Sequence, residues 1–394
     1  MLYLKNKGII MVIICIYCGL LLTGCSLRKN IGEIPELSAA QEEQIPDTVS
    51  NAWVKFGEVN DLNWDEILSV FLGLSEDEAE RYKCPEYGYY YEIGLQSLTG
   101  SGGDTGNIQG ASPIMLNYID DRDGAADCYM TMLQAYSIQT NFLQTELQWR
   151  KFYPEENLDF CTKEAAIEAC RPYIETIGYD DARVTVFAIT FEAIQEALKR
   201  QNWLSMSAPG PGYDKISTSE LKEVEALLKE GKSFEQAYEI LGISVEKATE
   251  REIPWTEKDE AFLLVYQPYV DGVLIESSNS IAIAIYVPQY GRPVYIQALL
   301  PPVVDMVIAE SKLISKKDAI KELMLSYWIK STEEIEIEDM YLTSGITMVK
   351  DQEKKDGWKY QMIPAWKIDF QLKGRNGAGI KSILIDALRG NILE

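Results

Sequence analysis

Residues 363–372 read Ile-Pro-Ala-Trp-Lys-Ile-Asp-Phe-Gln-Leu. From Trp366 onward, apolar and polar side chains alternate. Trp366, Ile368, Phe370 and Leu372 fall on one side, and Lys367, Asp369 and Gln371 on the other. A period of two is the pattern of a strand with one buried face. The turn Gly374-Arg375-Asn376-Gly377-Ala378-Gly379 then sends the chain back through Ile380, Ile383 and Ile385, which predicts a hairpin. Upstream, Ser315-Lys316-Lys317-Asp318-Ala319-Ile320 opens a helix with serine at its N-cap. The strand after it points Glu334, Glu336 and Glu338 one way and Ile335 and Ile337 the other. That carboxylate row is the solvated face of a sheet, in preference to a cation site. A helix followed by antiparallel strands predicts the α+β class.

The same order occurs earlier. Thr162-Lys163-Glu164-Ala165-Ala166-Ile167 opens a helix at an offset of 153 residues from the Ser315 helix, and the offset carries Val184 onto Ile337 without a gap. The expected architecture is therefore two related halves, each a helix packed on an antiparallel sheet. They span residues 51–210 and 251–394. Pro209-Gly210-Pro211-Gly212 breaks the chain between them. Capping boxes at Ser217–Glu220 and Ser233–Gln236 then predict a small helical insertion over residues 211–250.

Other segments add detail. Asn63 followed by Glu66, with Ile67, Leu68, Phe71 and Leu72 as a stripe, predicts a helix within 61–80. Ile114–Tyr118 and Cys128–Leu133 read as a hairpin turning on Asp123-Gly124. The glycine-rich run 100–106 reads as a loop and lacks the Gly-Lys-Ser/Thr ending of a phosphate loop. Ala261–Tyr266, Asp271-Gly272 and Val273–Ile275 predict a second hairpin, and Ile281–Val287 a further strand.

The N-terminus reads as an address. Lys5 and Lys7 precede an uncharged, mostly apolar run of 15 residues, Gly8–Leu22, which ends in Leu22-Thr23-Gly24-Cys25. The run is shorter than the roughly 20 residues that cross a bilayer and suits a signal peptide. Its end resembles the lipobox of bacterial lipoproteins. That resemblance implies a signal peptide at 1–24, lipid on Cys25 as the new N-terminus, and a polar tether over 25–50. The rest of the chain is then expected on the outer face of the cytoplasmic membrane, because the positive charges stay inside.

Composition narrows the function. The 394 residues include 61 acidic and 37 basic side chains and no histidine, for a formal charge of −24. Loss of Lys5 and Lys7 with the signal leaves 35 basic residues against 61 acidic, a formal −26. Imidazole-based nucleophile systems and His-ligated metal sites are excluded. A nucleic-acid surface is not expected. Of seven cysteines, Cys84, Cys128, Cys161 and Cys170 remain beside Cys25 after processing. They permit two disulfides or four free thiols. Cys161 and Cys170, flanking a helix start, are poor partners because nine helical residues span about 13 Å.

Ile363-Pro364-Ala365-Trp366-Lys367-Ile368, then Ile385-Asp386-Ala387 and Gly390-Asn391-Ile392, resemble the closing hairpin of PepSY-type domains. They are also similar to YycH/YycI-type accessory proteins, membrane-anchored regulators of a sensor histidine kinase in Gram-positive bacteria. The similarity covers roughly residues 255–394. Those accessory proteins carry a true membrane helix where this chain has a lipobox. Trp366 and Asp386 are the matched positions. Read as residues, the tryptophan is core and the aspartate caps a turn.

Catalytic motifs are sparse. Ser219-x-x-Lys222 and Ser244-x-x-Lys247 lack the accompanying Ser-Asp-Asn and Lys-Thr-Gly of penicillin-binding enzymes, and no Gly-x-Ser-x-Gly occurs. No residue is singled out as catalytic, metal-binding or cofactor-binding, and no cofactor is expected. The expectation is a lipid-anchored, non-catalytic envelope protein that binds a protein or peptide and regulates a sensor or protease. Its sheet edges and the tyrosines 87 and 89–91 are the candidate contact surfaces. The competing expectations are a solute or glycan binder and a hydrolase acting through two carboxylates.

Overall fold

The computed structural model describes residues 49–56, 62–84, 89–101, 115–122, 129, 146, 149–196, 256–277, 280–326, 334–350, 358–373 and 380–393, with 223, 226–227, 232 and 234–242 between them. Cys25, the signal segment and the tether up to residue 48 lie outside the described residues. So do the 102–106 part of the glycine-rich loop, Cys128, Pro209–Gly212, the Ser217–Glu220 cap and the turn 374–379. Val49 and Ser50, expected in the tether, already belong to the first strand.

The architecture is α+β, built on two antiparallel sheets. The strands are β1 (Val49–Lys55), β2 (Tyr89–Ile93), β3 (Gln96–Ser101), β4 (Met115–Asp120), β5 (Ala182–Ile189), β6 (Ala261–Val270), β7 (Val273–Leu274), β8 (Ala282–Val287), β9 (Arg292–Leu299), β10 (Val303–Ser311), β11 (Glu334–Lys350), β12 (Trp358–Lys373) and β13 (Lys381–Asp386). The principal helices are α1 (Trp64–Leu72), α2 (Lys163–Thr176), α3 (Phe234–Leu241) and α4 (Lys316–Ser326). The eight-stranded sheet runs β2-β3-β4-β9-β8-β6-β5, with β7 beside β6. The five-stranded sheet runs β10-β1-β12-β11. β11 follows one edge of β12 along its length, while β1 and β13 share the other edge end to end.

The eight-stranded sheet takes strands from residues 89–120, 182–189 and 261–299. The two sheets therefore do not divide the chain into 51–210 and 251–394. The helix-then-strand unit does occur twice, once on each sheet. α2 packs Ala166, Cys170 and Ile174 onto the eight-stranded sheet. α4 packs Ala319, Ile320, Leu323 and Met324 onto the five-stranded one.

Local sequence explains these elements. Asn63 caps α1: its Oδ1 accepts from the Glu66 N–H at 3.4 Å and its amide donates to the Glu66 carboxylate at 3.0 Å. Gly73 ends that helix in the left-handed conformation, before Leu74. Thr162 caps α2 through the Ala165 N–H at 3.2 Å. Ser315 caps α4 through the Asp318 N–H at 3.1 Å. The β6–β7 hairpin turns on Asp271 and Gly272, both at positive φ, as a tight two-residue turn requires.

Two expectations are corrected. β4 pairs with β3 and β9, and Tyr129, expected on its hairpin partner, is helical. Gly100 and Ser101 belong to β3, not to a loop. The Trp64 ring explains the glycine. It lies so close that a Cβ on residue 100 would stand 2.8 Å from it.

The cores follow the periodicities. β6 and β8 are apolar on both faces because the sheet is covered on both sides. Phe262, Leu264, Ala282 and Ala284 meet α1 and α2, and Leu263, Val265, Ile283 and Ile285 meet Tyr129, Trp149, Tyr153 and Ile194. In β12, Trp366, Ile368, Phe370 and Leu372 are buried against α4, as their alternation predicts. Trp366 is fully buried, and its indole N–H donates to the Ile314 carbonyl at 3.2 Å. Asp386 caps the final turn, accepting from the Leu388 and Arg389 N–H groups at 2.8 and 3.2 Å. Replacing Trp366 with alanine removes the largest side chain in this core, and a loss of about 3–5 kcal/mol is expected in denaturant unfolding.

Candidate functional site

Three features stand out beyond the apolar core: a buried ion cluster between the sheets, a second around Asp120, and an exposed apolar edge strand.

The ion cluster centres on Glu276, just after β7, which is fully buried. Its backbone N–H donates to the Ser344 carbonyl of β11 at 3.0 Å, and Ile275 bridges to Ser344. Glu276 thus comes from the eight-stranded side and is tied to the five-stranded sheet. Its Oε1 accepts from Tyr341 Oη at 2.8 Å, from Lys367 Nζ at 3.2 Å and from the Arg183 guanidinium. These donors come as cross-strand pairs. Arg183 stands opposite Gln267 in the β5–β6 register and bonds its side-chain oxygen. Tyr341 stands opposite Lys367 in the β11–β12 register, and the Lys367 ammonium lies 5.5 Å from the Tyr341 ring centre. Burial alone would push the Glu276 pKa up, but the charges of Lys367 and Arg183 outweigh it and hold the carboxyl below its ordinary value. Burial would likewise lower Lys367, yet Glu276 raises it. Asp369, beside Lys367 on the strand, is held above its ordinary value by burial and accepts from Ser382 Oγ at 2.5 Å. Glu146, paired with Arg150 at 2.7 Å, also acts on Lys367.

The alternation in β12 therefore has a second meaning. Lys367, expected on the solvated face, is buried, because the other sheet covers that face and supplies its counter-ion. Glu276 itself, in Ile275-Glu276-Ser277, carries no periodic signal. Arg183 and Lys367 look like ordinary polar positions of alternating strands until the two sheets are brought together.

Asp120 ends β4 and is buried. Arg122 grips it in a fork, with Nε at 2.8 Å and Nη2 at 2.6 Å, and Arg292 of β9 adds Nε at 2.6 Å. Burial opposes its ionisation, but the two guanidiniums bring the pKa down to about 2.

The tyrosine run is mainly structural. Tyr91 is buried, and the Tyr89 ring stacks on Trp64 with centroids 4.5 Å apart. Tyr87 lies outside the described residues. Cys84, Cys161 and Cys170 are free thiols, with Cys170 buried. The carboxylate row of β11 is solvated at Glu336 and Glu338, with Ile335 buried.

The exposed feature is β10. Among the described residues it pairs with β1 alone, at the end of the five-stranded sheet. Val303 is 66% exposed, Met306 55%, Val307 56% and Ile308 38%. Strand edges of this kind are normally blunted by charge or proline. Here two register shifts against β1 twist the strand, but its apolar side chains remain in solvent. A shallow groove of about 250 Å³ lies elsewhere, lined by Phe160, Cys161, Lys258, Tyr286, Pro288 and Gln289. It carries no carboxylate. Among the described residues no group of three or more His, Cys, Asp or Glu is placed to hold a metal ion, and no helix is long and apolar enough to cross a membrane.

No family model matches the chain, and no curated protein matches it. Among solved structures it is similar to an uncharacterised protein from Eubacterium rectale ATCC 33656, with a TM-score of 0.46 and 10% identity over 88% of this chain and 86% of that one. It is also similar to the Bacillus megaterium YpeB C-terminal domain, with a TM-score of 0.22 and 11% identity over 81% of this chain and 95% of that one.

The carboxylates set the acid limit of the fold. An unfolded aspartate titrates near pH ~3.9 and folded Asp120 at about 2. The stabilisation from ionised Asp120 is complete above pH ~4 and is lost as pH falls toward about 2. Glu276, also depressed, acts in the same direction, while Asp369, raised, acts in the opposite one. Urea-unfolding midpoints followed from pH 6 downward are expected to drop in that window. Asp120→Asn should flatten the drop by on the order of 1–2 kcal/mol; an unchanged slope would show that the arginine fork does not hold Asp120 ionised.

Proposed function

We propose that this chain is a lipid-anchored, non-catalytic envelope protein, held by lipid on Cys25 outside the cytoplasmic membrane, and that it binds a protein or peptide partner through the edge of its five-stranded sheet. The observation that carries the binding reading is β10: a nine-residue edge strand with four large apolar side chains in solvent. An extended segment added there would satisfy the strand's outer backbone groups and cover those side chains together, which is the physical basis of strand addition. Regulation of a sensor or protease is the role this partner binding would serve. The strong acidity favours solubility and keeps the body away from anionic headgroups.

Two observations favour binding over chemistry. The buried carboxylates Glu276 and Asp120 are each neutralised by more than one cation and spent on structure. The groove offers no paired acids for a glycosidase. Its Tyr286 and Phe160 walls do suit a small apolar solute or a sugar face, and this is the second reading.

The anchor is tested by Cys25→Ala: the variant is expected to leave the membrane fraction, and retention there would contradict the lipoprotein reading. The binding reading is tested by hydrogen exchange. Amides of residues 303–311 are expected to exchange more slowly in the native envelope than in the dilute purified chain. Equal rates would contradict strand addition at β10.

A further inference from the structure

We infer that the strand completing the β10 edge is the β10 of a second copy of this chain, giving a two-fold dimer in which two five-stranded sheets join into one of ten. The inference rests on the strand-addition reading and names its partner.

The argument comes from what an antiparallel copy would place opposite each residue. With Val307 on the axis, Val307 faces Val307 and Met306 faces Ile308. Asp305 then faces Ala309, Val304 faces Glu310, and Val303 faces Ser311. The three central pairs are apolar against apolar, using three of the exposed side chains. No charged residue meets a like charge, which is the arrangement that destabilises strand pairs. Asp305, the one acid near the centre, is already neutralised within its own chain by Lys55 at 2.7 Å. The strand is therefore complementary to itself, as a two-fold interface requires.

Twist favours the same partner. The two register shifts of β10 against β1 lie between Asn51 and Ala52 and between Trp53 and Val54. They increase the local right-handed twist, so a straight, flat strand would fit poorly. A two-fold copy carries the same twist by symmetry. The unfavourable term is global: each chain carries a formal −24 before processing, and two such bodies repel. Salt screens that repulsion over about 8 Å at physiological ionic strength. Added salt should therefore strengthen the dimer, whereas it would weaken the attachment of a basic partner to the same acidic chain.

The test introduces one cysteine at a time into the full-length chain, oxidised in its own membrane, with the unchanged chain as the control for its native thiols Cys84, Cys161 and Cys170. Opposite residues of an antiparallel pair have Cα atoms about 4.5–5.5 Å apart, within the range of about 4.4–6.8 Å that a disulfide spans. Val307→Cys should give a covalent dimer. Val303→Cys, which faces Ser311 and not its own copy, should not. The detergent-solubilised chain, followed by sedimentation, should show a dimer fraction that rises between 50 and 300 mM salt and that Val307→Lys abolishes. Val307 is more than half exposed, so that lysine is accommodated in the monomer. A Val307→Cys adduct with a different protein and no dimer would overturn self-pairing while leaving strand addition intact. No adduct of either kind, with residues 303–311 unprotected in the envelope, would remove both.

Discussion

One buried carboxylate governs how the two sheets meet. Glu276 leaves the eight-stranded sheet, enters the side of the five-stranded one, and gathers an arginine from the first with a lysine and a tyrosine from the second. Each donor is set by a cross-strand pairing within its own sheet. A slip of one residue in either sheet would turn Arg183 or Lys367 to the opposite face and leave a charge buried without its partner. An uncompensated buried charge costs several kcal/mol, so the register of each sheet and the docking of the two are coupled. The apolar contacts around Ile275, Val270, Ile346 and Met362 close the same seam, but they are not directional. The ion cluster supplies the direction.

This constraint explains which parts of the structure were legible in the sequence. Periodicity within one strand or helix is a local quantity, and it is legible at several places where one face meets a core. The Trp366-to-Leu372 face, the Ile335 face of β11 and the capped starts of α1, α2 and α4 are cases of this kind. Trp366 and Asp386 also took the structural roles their residue types implied. What escaped was set by partners distant in sequence. Lys367 alternates like a solvent-facing residue, and only the arrival of Glu276, 91 residues earlier, buries it. Arg292 is brought to Asp120 across 172 residues, so no local pattern marks Asp120 as a paired core position. Gly100 looked like part of a flexible loop because the Trp64 ring that demands a glycine there lies outside the local sequence.

The candidate binding edge follows from the same division. β10 lies on the far side of the five-stranded sheet from β11, where the strand contacting Glu276 is fixed. Glu276 and Lys367 are buried at the seam, while Val303, Met306, Val307 and Ile308 are exposed on the edge. An interface there needs no rearrangement of the ion cluster, since β1 lies between β10 and β12, the nearest strand that carries a member of it. A substitution at the edge is therefore not expected to disturb the seam, nor one at the seam the edge.

The central claim is that Glu276 and Lys367 hold the two sheets together as a pair. The most direct measurement is a double-mutant cycle in denaturant unfolding of the full chain, with Glu276→Gln, Lys367→Met and the combined variant. Each single substitution leaves a buried polar group without its counterpart, and each is expected to lose about 3–5 kcal/mol. The combined variant should lose less than the sum, by at least about 1 kcal/mol of coupling. Losses that simply add, within about 0.5 kcal/mol, would show that the two side chains act independently and that the sheets are joined by something else.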